Sequence, residues 1–303
     1  MGRSVRTALF GGSSVRRKIF PYLLLIPTYL VIILFIYMPA FDALYNSFFR
    51  VSVFGRRRIF VGLQNFLSLF TDKDYLYAVN FTLVYTGTTV VISIFLSFFL
   101  ALLLDQKVPG SKIYRTLIFA PYAVSYAVAG ALWGFLLNPV VGHVNYLMRI
   151  LFGIQTHWLT TRPFAAYSLI FASIWKTLPF NVIFYLAALQ SVPSEVMEAS
   201  IIDGANSWKR VWKIIFPLVS PITFYLVIMS IISATFQSFA IIDVMTRGGP
   251  GIYTTNLVYK LYLDGFRFQK IGLASAENVI LFVMMMIVTI LYFTYGQRRV
   301  HYQ

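Results

Sequence analysis

Apolar residues along this chain gather into six long blocks that show neither the two-residue alternation of a half-buried strand nor a wide polar face. The blocks run Ile19 to Phe41, Tyr77 to Leu104, Ile113 to Leu137, Phe164 to Gln190, Pro217 to Ile242 and Ile271 to Gly296. Each is about 20 residues or longer, enough for a helix to cross the hydrocarbon core of a bilayer. Backbone amides in that core must pair within the protein, which leaves helices or closed barrels, and barrel strands alternate over about ten residues. The pattern therefore predicts an all-α membrane protein with six transmembrane helices. It forms a single domain over 19–303, preceded by a short segment, 1–18.

Composition agrees with lipid as the solvent. Of 303 residues, 59% are hydrophobic and only 12% charged, and the mean hydropathy is +0.75. A soluble chain of this length keeps most of its surface polar. Here the 25 bases and 10 acids lie mainly in the gaps between apolar blocks. The chain has no cysteine, which excludes disulfides, thiolate catalysis and cysteine-type metal sites. His143, His157 and His301 are far apart and show no ligand spacing, so no metal is expected. The net charge of +15 is read as contact with anionic membrane lipid, with no nucleic acid implied. The first block is too long for a secretory signal and no small-residue cleavage site follows it, so it is expected to remain in the protein.

An even number of spans puts both ends on one side. Arg3, Arg6, Arg16, Arg17 and Lys18 in the leading segment, with Arg298 and Arg299 in the tail, place both termini in the cytoplasm by the positive-inside rule. Over all loops the bases divide almost evenly between the two sides. The outer ones, Arg56, Arg57 and Arg58 among them, read as a solvated loop, or as a surface for an acidic partner or an anionic solute. Pro109-Gly110 predicts a tight turn, and Gly248-Gly249-Pro250-Gly251 opens an outer loop.

Between the fourth and fifth blocks, Ser191 to Phe216 is too long for a hairpin and too patterned for an unstructured loop. It predicts two short helices. Ser194 is expected to cap the first, with Glu195 and Glu198 near the positive end of its dipole. Gly204 ends it in the left-handed conformation. The second starts near Ser207 and places Trp208, Val211, Trp212 and Ile215 on one face, with Lys209, Arg210 and Lys213 on the other. Pro217 marks the bend back into the membrane. By itself such a helix suits the headgroup region as well as a docking role.

This segment reads Glu198-Ala199-Ser200, three residues, Gly204, nine residues, Ile214, one residue, Phe216-Pro217. It resembles the EAA loop of the sugar-type ABC importer permeases, the inner-membrane components of binding-protein-dependent transport. Ser200 and Phe216 replace the usual alanine and leucine with modest changes of size. The resemblance extends along the chain through Phe60-Val61-Gly62-Leu63-Gln64-Asn65-Phe66, Trp175-Lys176, Ala187 to Pro193 and Thr246-Arg247-Gly248-Gly249-Pro250. Within the family it leans towards the glycerol-3-phosphate branch, through Ala120 to Val124, Leu137-Asn138-Pro139, Leu257 to Tyr262 and the tail Arg299 to Gln303. It implies the type I importer (MetI-like) permease fold, with the coupling loop at 191–217. There Glu198, Ala199, Ser200, Asp203, Gly204, Ile214 and Pro217 would dock an ATPase. It also implies a second permease subunit as a heterodimer partner, two ATP-binding subunits and an extracytoplasmic solute-binding protein, in a bacterial inner membrane. ATP and Mg would be held by the partner ATPases, with no cofactor in this chain.

Polar residues inside apolar spans are costly and therefore candidates for a solute path. Ser173, Lys176, Thr177 and Asn181 share one face of the fourth block. Ser230, Ser233 and Gln237 form a stripe on the fifth. Tyr122, Ser125 and Tyr126 lie in the third beside Pro121, which disturbs the helix. Lys176 needs a partner: an anionic solute group, a carboxylate such as Glu277, or water and carbonyls reached by snorkelling. Thr82, Thr86, Thr89, Ser93 and Ser97 on the second block read as helix packing. Asp243 and Glu277 read as interfacial or ion-paired groups.

The sequence shows no convergent catalytic set and no phosphate-binding Gly-x-x-x-x-Gly-Lys-Ser/Thr loop, so energy must enter from another subunit. The resemblance implies a permease subunit of an ATP-driven importer of sn-glycerol 3-phosphate or a related glycerophosphodiester. The alternatives are the same machine carrying a neutral sugar or oligosaccharide, and an ion-coupled secondary transporter, whose usual internal repeats and membrane-embedded acids are not evident.

Overall fold

A computed structural model of the chain describes residues 13–52, 57–106 and 110–296. Expectations resting on Arg3, Arg6, Arg56, Pro109, Arg298, Arg299 and His301 lie outside the described residues. The elements follow from the punctuation of the sequence. α1 (Ser13–Ile32) continues through a π turn (Ile33–Tyr37) into α2 (Met38–Asn46). A hairpin follows, β1 (Phe49–Val51) and β2 (Arg58–Phe60), antiparallel with Phe49 opposite Phe60 and Val51 opposite Arg58. α3 (Gln64–Thr71) then leads to α4 (Lys73–Asp105), whose first amides, of Asp74 and Tyr75, donate to the Asp72 carboxylate.

α5 (Ser111–Phe119) enters a 3₁₀ turn (Ala120–Ala123), and α6 (Tyr126–Leu136) leaves it in a new direction. After α7 (His143–Phe152) comes α8 (Phe164–Gln190). The next connection holds α9 (Ser194–Ile202), α10 (Ser207–Arg210), a π turn (Val211–Ile215) and α11 (Phe216–Leu218). α12 (Ser220–Phe236) and α13 (Ser238–Met245) form the fifth span; α14 (Leu257–Tyr262), a π turn (Leu263–Arg267) and α15 (Ile271–Gly296) complete the described chain.

Among the described residues, five helices are long and apolar enough to cross a membrane: Pro21–Asn46, Lys73–Asp105, Phe164–Gln190, Ser220–Met245 and Ile271–Thr294. The third expected span departs from a straight helix. Ile113–Ala123 and Tyr126–Leu136 meet at 106°. Pro121, buried in the 3₁₀ turn, has no amide to offer. Beyond it Val124 and Ser125 are extended, and the Ser125 hydroxyl accepts from the Val128 amide to start α6 afresh.

α4 and α8 pack along each other at the centre, with α12 against both, α6 against α13 and α2 against α15. One apolar cluster (Phe98, Val182, Tyr185, Ile215, Leu226) lies towards the α9–α11 end. A second (Phe81, Tyr85, Leu169, Ile241, Ile242) lies towards the opposite end. On α4 two members of the hydroxyl stripe tie the helix to other elements: Ser97 Oγ donates to the Leu178 carbonyl at 3.3 Å, and Thr82 Oγ1 accepts the Leu257 amide at 2.9 Å. The Pro21–Asn46 span has none of its apolar window buried within this chain, so lipid or another subunit covers it.

Candidate functional site

The broken helix, α8 and α12 enclose a cavity of about 310 Å³. Seven of the expected path residues line it: Tyr122 and Tyr126 from either side of the break, Lys176 and Thr177 from α8, and Ser230, Ser233 and Gln237 from the fifth span. Phe180, Met229, Ile232 and Phe236 complete the wall. Sequence reasoning passed over these four because apolar residues in a span are the default. Their signal was position, since Phe180 follows Lys176 by one helical turn and Phe236 follows Ser233 by three residues.

Ser173 and Asn181 share the α8 stripe but turn to neighbouring helices. Ser173 Oγ pairs closely with the Tyr85 hydroxyl of α4, and Asn181 Nδ2 donates to Ser230 Oγ at 3.3 Å. Both are structural ties just outside the cavity. Helix periodicity assigns a face, and only packing decides which part of that face meets a neighbour.

Lys176 is 6% exposed. Its Nζ donates to the Tyr122 carbonyl oxygen at 3.3 Å and lies 5.2 and 5.0 Å from the ring centroids of Tyr122 and Tyr126. Of the partners left open by the sequence, the carbonyl is realised. Glu277 is not: its carboxylate lies 3.6 Å from Lys260. Among the described residues no carboxylate pairs with Lys176, so the cavity holds an uncompensated positive charge beside five hydroxyls, an amide and four aromatic rings. Such a wall can hold an anionic group at one end and a hydroxylated or apolar group at the other. Tyr126 Oη and Ser233 Oγ pair at 2.7 Å across the cavity.

The α9–α11 segment forms the expected pair of short helices, with corrections at both ends. Ser194 is the first helical residue and makes no side-chain cap; Pro193 precedes it as the cap position. Gly204 has φ +71°, the Gly204 amide donates to Ile201 O and the Ala205 amide to Ser200 O, which together close the helix in a Schellman turn. The second helix is capped by Asn206, whose side chain accepts the Lys209 amide. Its apolar face divides: Ile215 is buried near Phe98 while Trp208 stands exposed. Pro217 lies in the first turn of the short α11, directly after the π turn, and the chain leaves helical geometry at Val219 before α12.

Glu198, Ala199, Asp203 and Gly204 face solvent, Ile214 is half-buried, and Ser200 is buried, its hydroxyl donating to Met197 O at 2.6 Å. The segment also exposes Ile201 and Ile202, the latter 85% exposed. This apolar pair escaped the sequence reading. Its signal was the placement of two isoleucines directly before Asp203-Gly204.

At the opposite end lies a charge cluster of which sequence reasoning singled out Glu277 as ion-paired but not Lys260, Asp264 or Asp72. Lys260 pairs closely with Asp264 and lies 3.7 Å from Asp72 and 3.6 Å from Glu277; Lys270 reaches Asp264 at 3.3 Å. Burial alone lowers the Lys260 pKa, but Asp264, Glu277 and Asp72 together hold it above the ordinary lysine value. Asp243 accepts from the Tyr259 hydroxyl at 3.2 Å. Both acids singled out near helix ends are thus tied to α14, Asp243 through Tyr259 and Glu277 through Lys260. Lys260 and Asp264 stand at i and i+4, which was the available signal.

Residues 93–301 match the family model described as binding-protein-dependent transport system inner membrane component. The chain is 40% identical over 285 residues to the sn-glycerol-3-phosphate transport system permease protein UgpA of Agrobacterium fabrum, covering 94% of this chain and 97% of that one. It is 38% identical over 288 residues to the protein of the same name from Escherichia coli, covering 95% and 97%. Its fold superposes on a chain from the crystal structure of a bacterial ABC transporter involved in the import of the acidic polysaccharide alginate, with a TM-score of 0.83, 22% identity, and coverage of 94% of this chain and 97% of that one. Six apolar segments, one of them broken, and matches over nearly the full length leave a single assignment: the chain belongs to the binding-protein-dependent transport inner-membrane components, the permease subunits of ABC importers.

Proposed function

We propose that this permease forms half of the translocation path for sn-glycerol 3-phosphate or a related glycerophosphodiester. The observation that carries the reading is Lys176, a cation in the cavity wall with no carboxylate to neutralise it among the described residues. A phosphate matches that cation in charge and hydrogen bonding. The glycerol hydroxyls then meet Ser233, Gln237 and Thr177, and the apolar wall at Phe180 and Phe236 accommodates a diester substituent. Identity of 38–40% to permeases named for sn-glycerol 3-phosphate supports the same cargo.

A second permease subunit completes the path as a heterodimer. The exposed Glu198, Ala199, Ile201, Ile202 and Gly204 present a compact knob, acidic and apolar, that suits a cleft on an ATP-binding subunit. Two such subunits, holding ATP and Mg, drive closure through this knob, and an extracytoplasmic solute-binding protein delivers cargo at the opposite face. Both termini and the α9–α11 segment then lie in the cytoplasm.

Proteoliposomes holding this permease with its co-expressed partners test the reading. ATP-dependent uptake of sn-glycerol 3-phosphate is expected, with a loss of at least tenfold in Lys176→Met and partial retention in Lys176→Arg. Uptake of a neutral oligosaccharide in place of the phosphate ester, unaffected by Lys176→Met, overturns it.

A further inference from the structure

The lysine that faces the cavity is already engaged, and its partner belongs to the break in the third span. The Tyr122 carbonyl lies in the 3₁₀ turn just before Val124 and Ser125 become extended, where helical amide donors run out. Lys176 Nζ donates to that carbonyl. The same ammonium lies over the ring of Tyr122 before the break and of Tyr126 after it, so one charge clasps both arms of the corner. Each arm has a further tie to the cavity wall. The Tyr122 ring stacks on Phe180, and Tyr126 Oη pairs with Ser233 Oγ.

Resting on the reading of Lys176 given above, we infer that this lysine is also the positioning residue of the broken span: an anion entering the cavity competes with the Tyr122 carbonyl for the ammonium and thereby frees the corner. A hydrogen bond from an ammonium to a phosphate oxygen is stronger than one to a neutral carbonyl, so the exchange runs towards the anion. The clasped and unclasped corners then differ in affinity for the solute, which is the differential that occupancy needs in order to shift a conformation. The freed arm leads towards the α9–α11 end. α5 begins at Ser111, and Arg115 on it donates to the Leu104 carbonyl of α4 at 3.1 Å, so rotation of α5 about the break is transmitted to the end of α4. A neutral solute has no charge with which to compete for Lys176 and leaves the corner clasped.

Spin labels at Ile113→Cys and Leu132→Cys report the angle, since both residues are exposed, one on each arm, and the chain has no native cysteine. They are placed in the assembled transporter, its partner subunits made cysteine-free, in lipid nanodiscs. With Lys176 present, saturating sn-glycerol 3-phosphate is expected to shift the inter-label distance. Lys176→Met is expected to show the shifted distance without solute and no further change on its addition, whereas Lys176→Arg behaves as the parent. Lys176→Gln gives the same comparison if the methionine variant does not assemble. A neutral variant whose resting distance equals that of the parent overturns the clasp, and so does a parent that transports sn-glycerol 3-phosphate with no change in distance. Absence of that uptake in the parent, with the resting shift of Lys176→Met intact, sinks the choice of cargo and supports the clasp.

Discussion

Asn181 on α8 and Ser230 on α12 exchange hydrogen bonds at the cavity's edge, Nδ2 to Oγ at 3.3 Å and Oγ to Oδ1 at 3.4 Å. Both residues are buried. In lipid, helices gain little from burying apolar surface against each other, so such pairs and close packing hold them together. Replacing Ser230 with Ala leaves the Asn181 amide without this partner and is expected to cost about 0.5–2 kcal/mol. Thermal unfolding of the purified transporter checks it, with Asn181→Ala and the double variant completing a cycle. Additivity of the two single effects would show that the pair is not coupled.

Gly204 separates backbone strain from steric conflict. A Cβ there meets nothing within 4 Å, but φ is +71°. Asn tolerates the left-handed region far better than a β-branched residue. Gly204→Val is therefore expected to distort the α9–α10 turn and release the ATPase subunits, while Gly204→Asn keeps them. Co-purification from solubilised membranes reads the difference, and equal recovery in the two variants contradicts it.

Lys260 sits among three acids. Lys260→Met leaves Asp72, Asp264 and Glu277 with Lys270, which reaches Asp264, as the one ion-pairing base among the described residues, and is expected to destabilise the α13–α15 connection by about 3–5 kcal/mol. The sign of the pH dependence follows from the raised pKa. The ammonium's contribution is fully present below the unfolded-state value of 10.5 and is lost as pH rises through the higher folded value. Titrating the parent between neutral pH and pH 10 should leave this contribution unchanged, and unfolding measured above 10.5 should show its loss. A loss already complete at pH 9 would contradict the assignment.

Gly272 and Gly87 form a matched pair. A Cβ at Gly272 would lie 2.0 Å from the Phe49 carbonyl oxygen, whereas one at Gly87 meets nothing within 4 Å. Gly272→Ala is expected to push the β1–β2 hairpin off α15 at a cost of about 1–3 kcal/mol. Gly87→Ala, in the middle of α4, is expected to be neutral or stabilising by up to about 1 kcal/mol. Thermal unfolding of the two variants side by side distinguishes close packing from helix propensity.

The class of molecule was legible from the spacing of its apolar blocks because a bilayer imposes a length and forbids unpaired backbone, and both constraints act locally along the chain. The Glu198 to Pro217 pattern was legible for a similar reason: a left-handed glycine and its flanking short helices are built from neighbours in sequence. The cavity stripe was half legible. Periodicity put Ser173, Lys176, Thr177 and Asn181 on one face of α8, but Tyr85 and Ser230, from helices distant in sequence, decided that Ser173 and Asn181 are ties and Lys176 and Thr177 are wall. The same holds at the α14 end. Spacing could suggest the Lys260–Asp264 pair one helical turn apart, but only the approach of Asp72 and Glu277 makes Lys260 the centre of a cluster.

The bend of 106° in the third span was likewise decided in three dimensions. Pro121 and Ser125 permit a break, but a proline in a helix can also leave only a kink. The Tyr122 carbonyl can rest there because Lys176, on another helix, donates to it. Sequence alone therefore determined that the chain crosses a membrane and where the α9–α10 segment turns, since those are local backbone matters. Which polar groups face one another was left to the packing of helices, because a hydrogen bond between residues fifty positions apart exists only once the fold has brought them together.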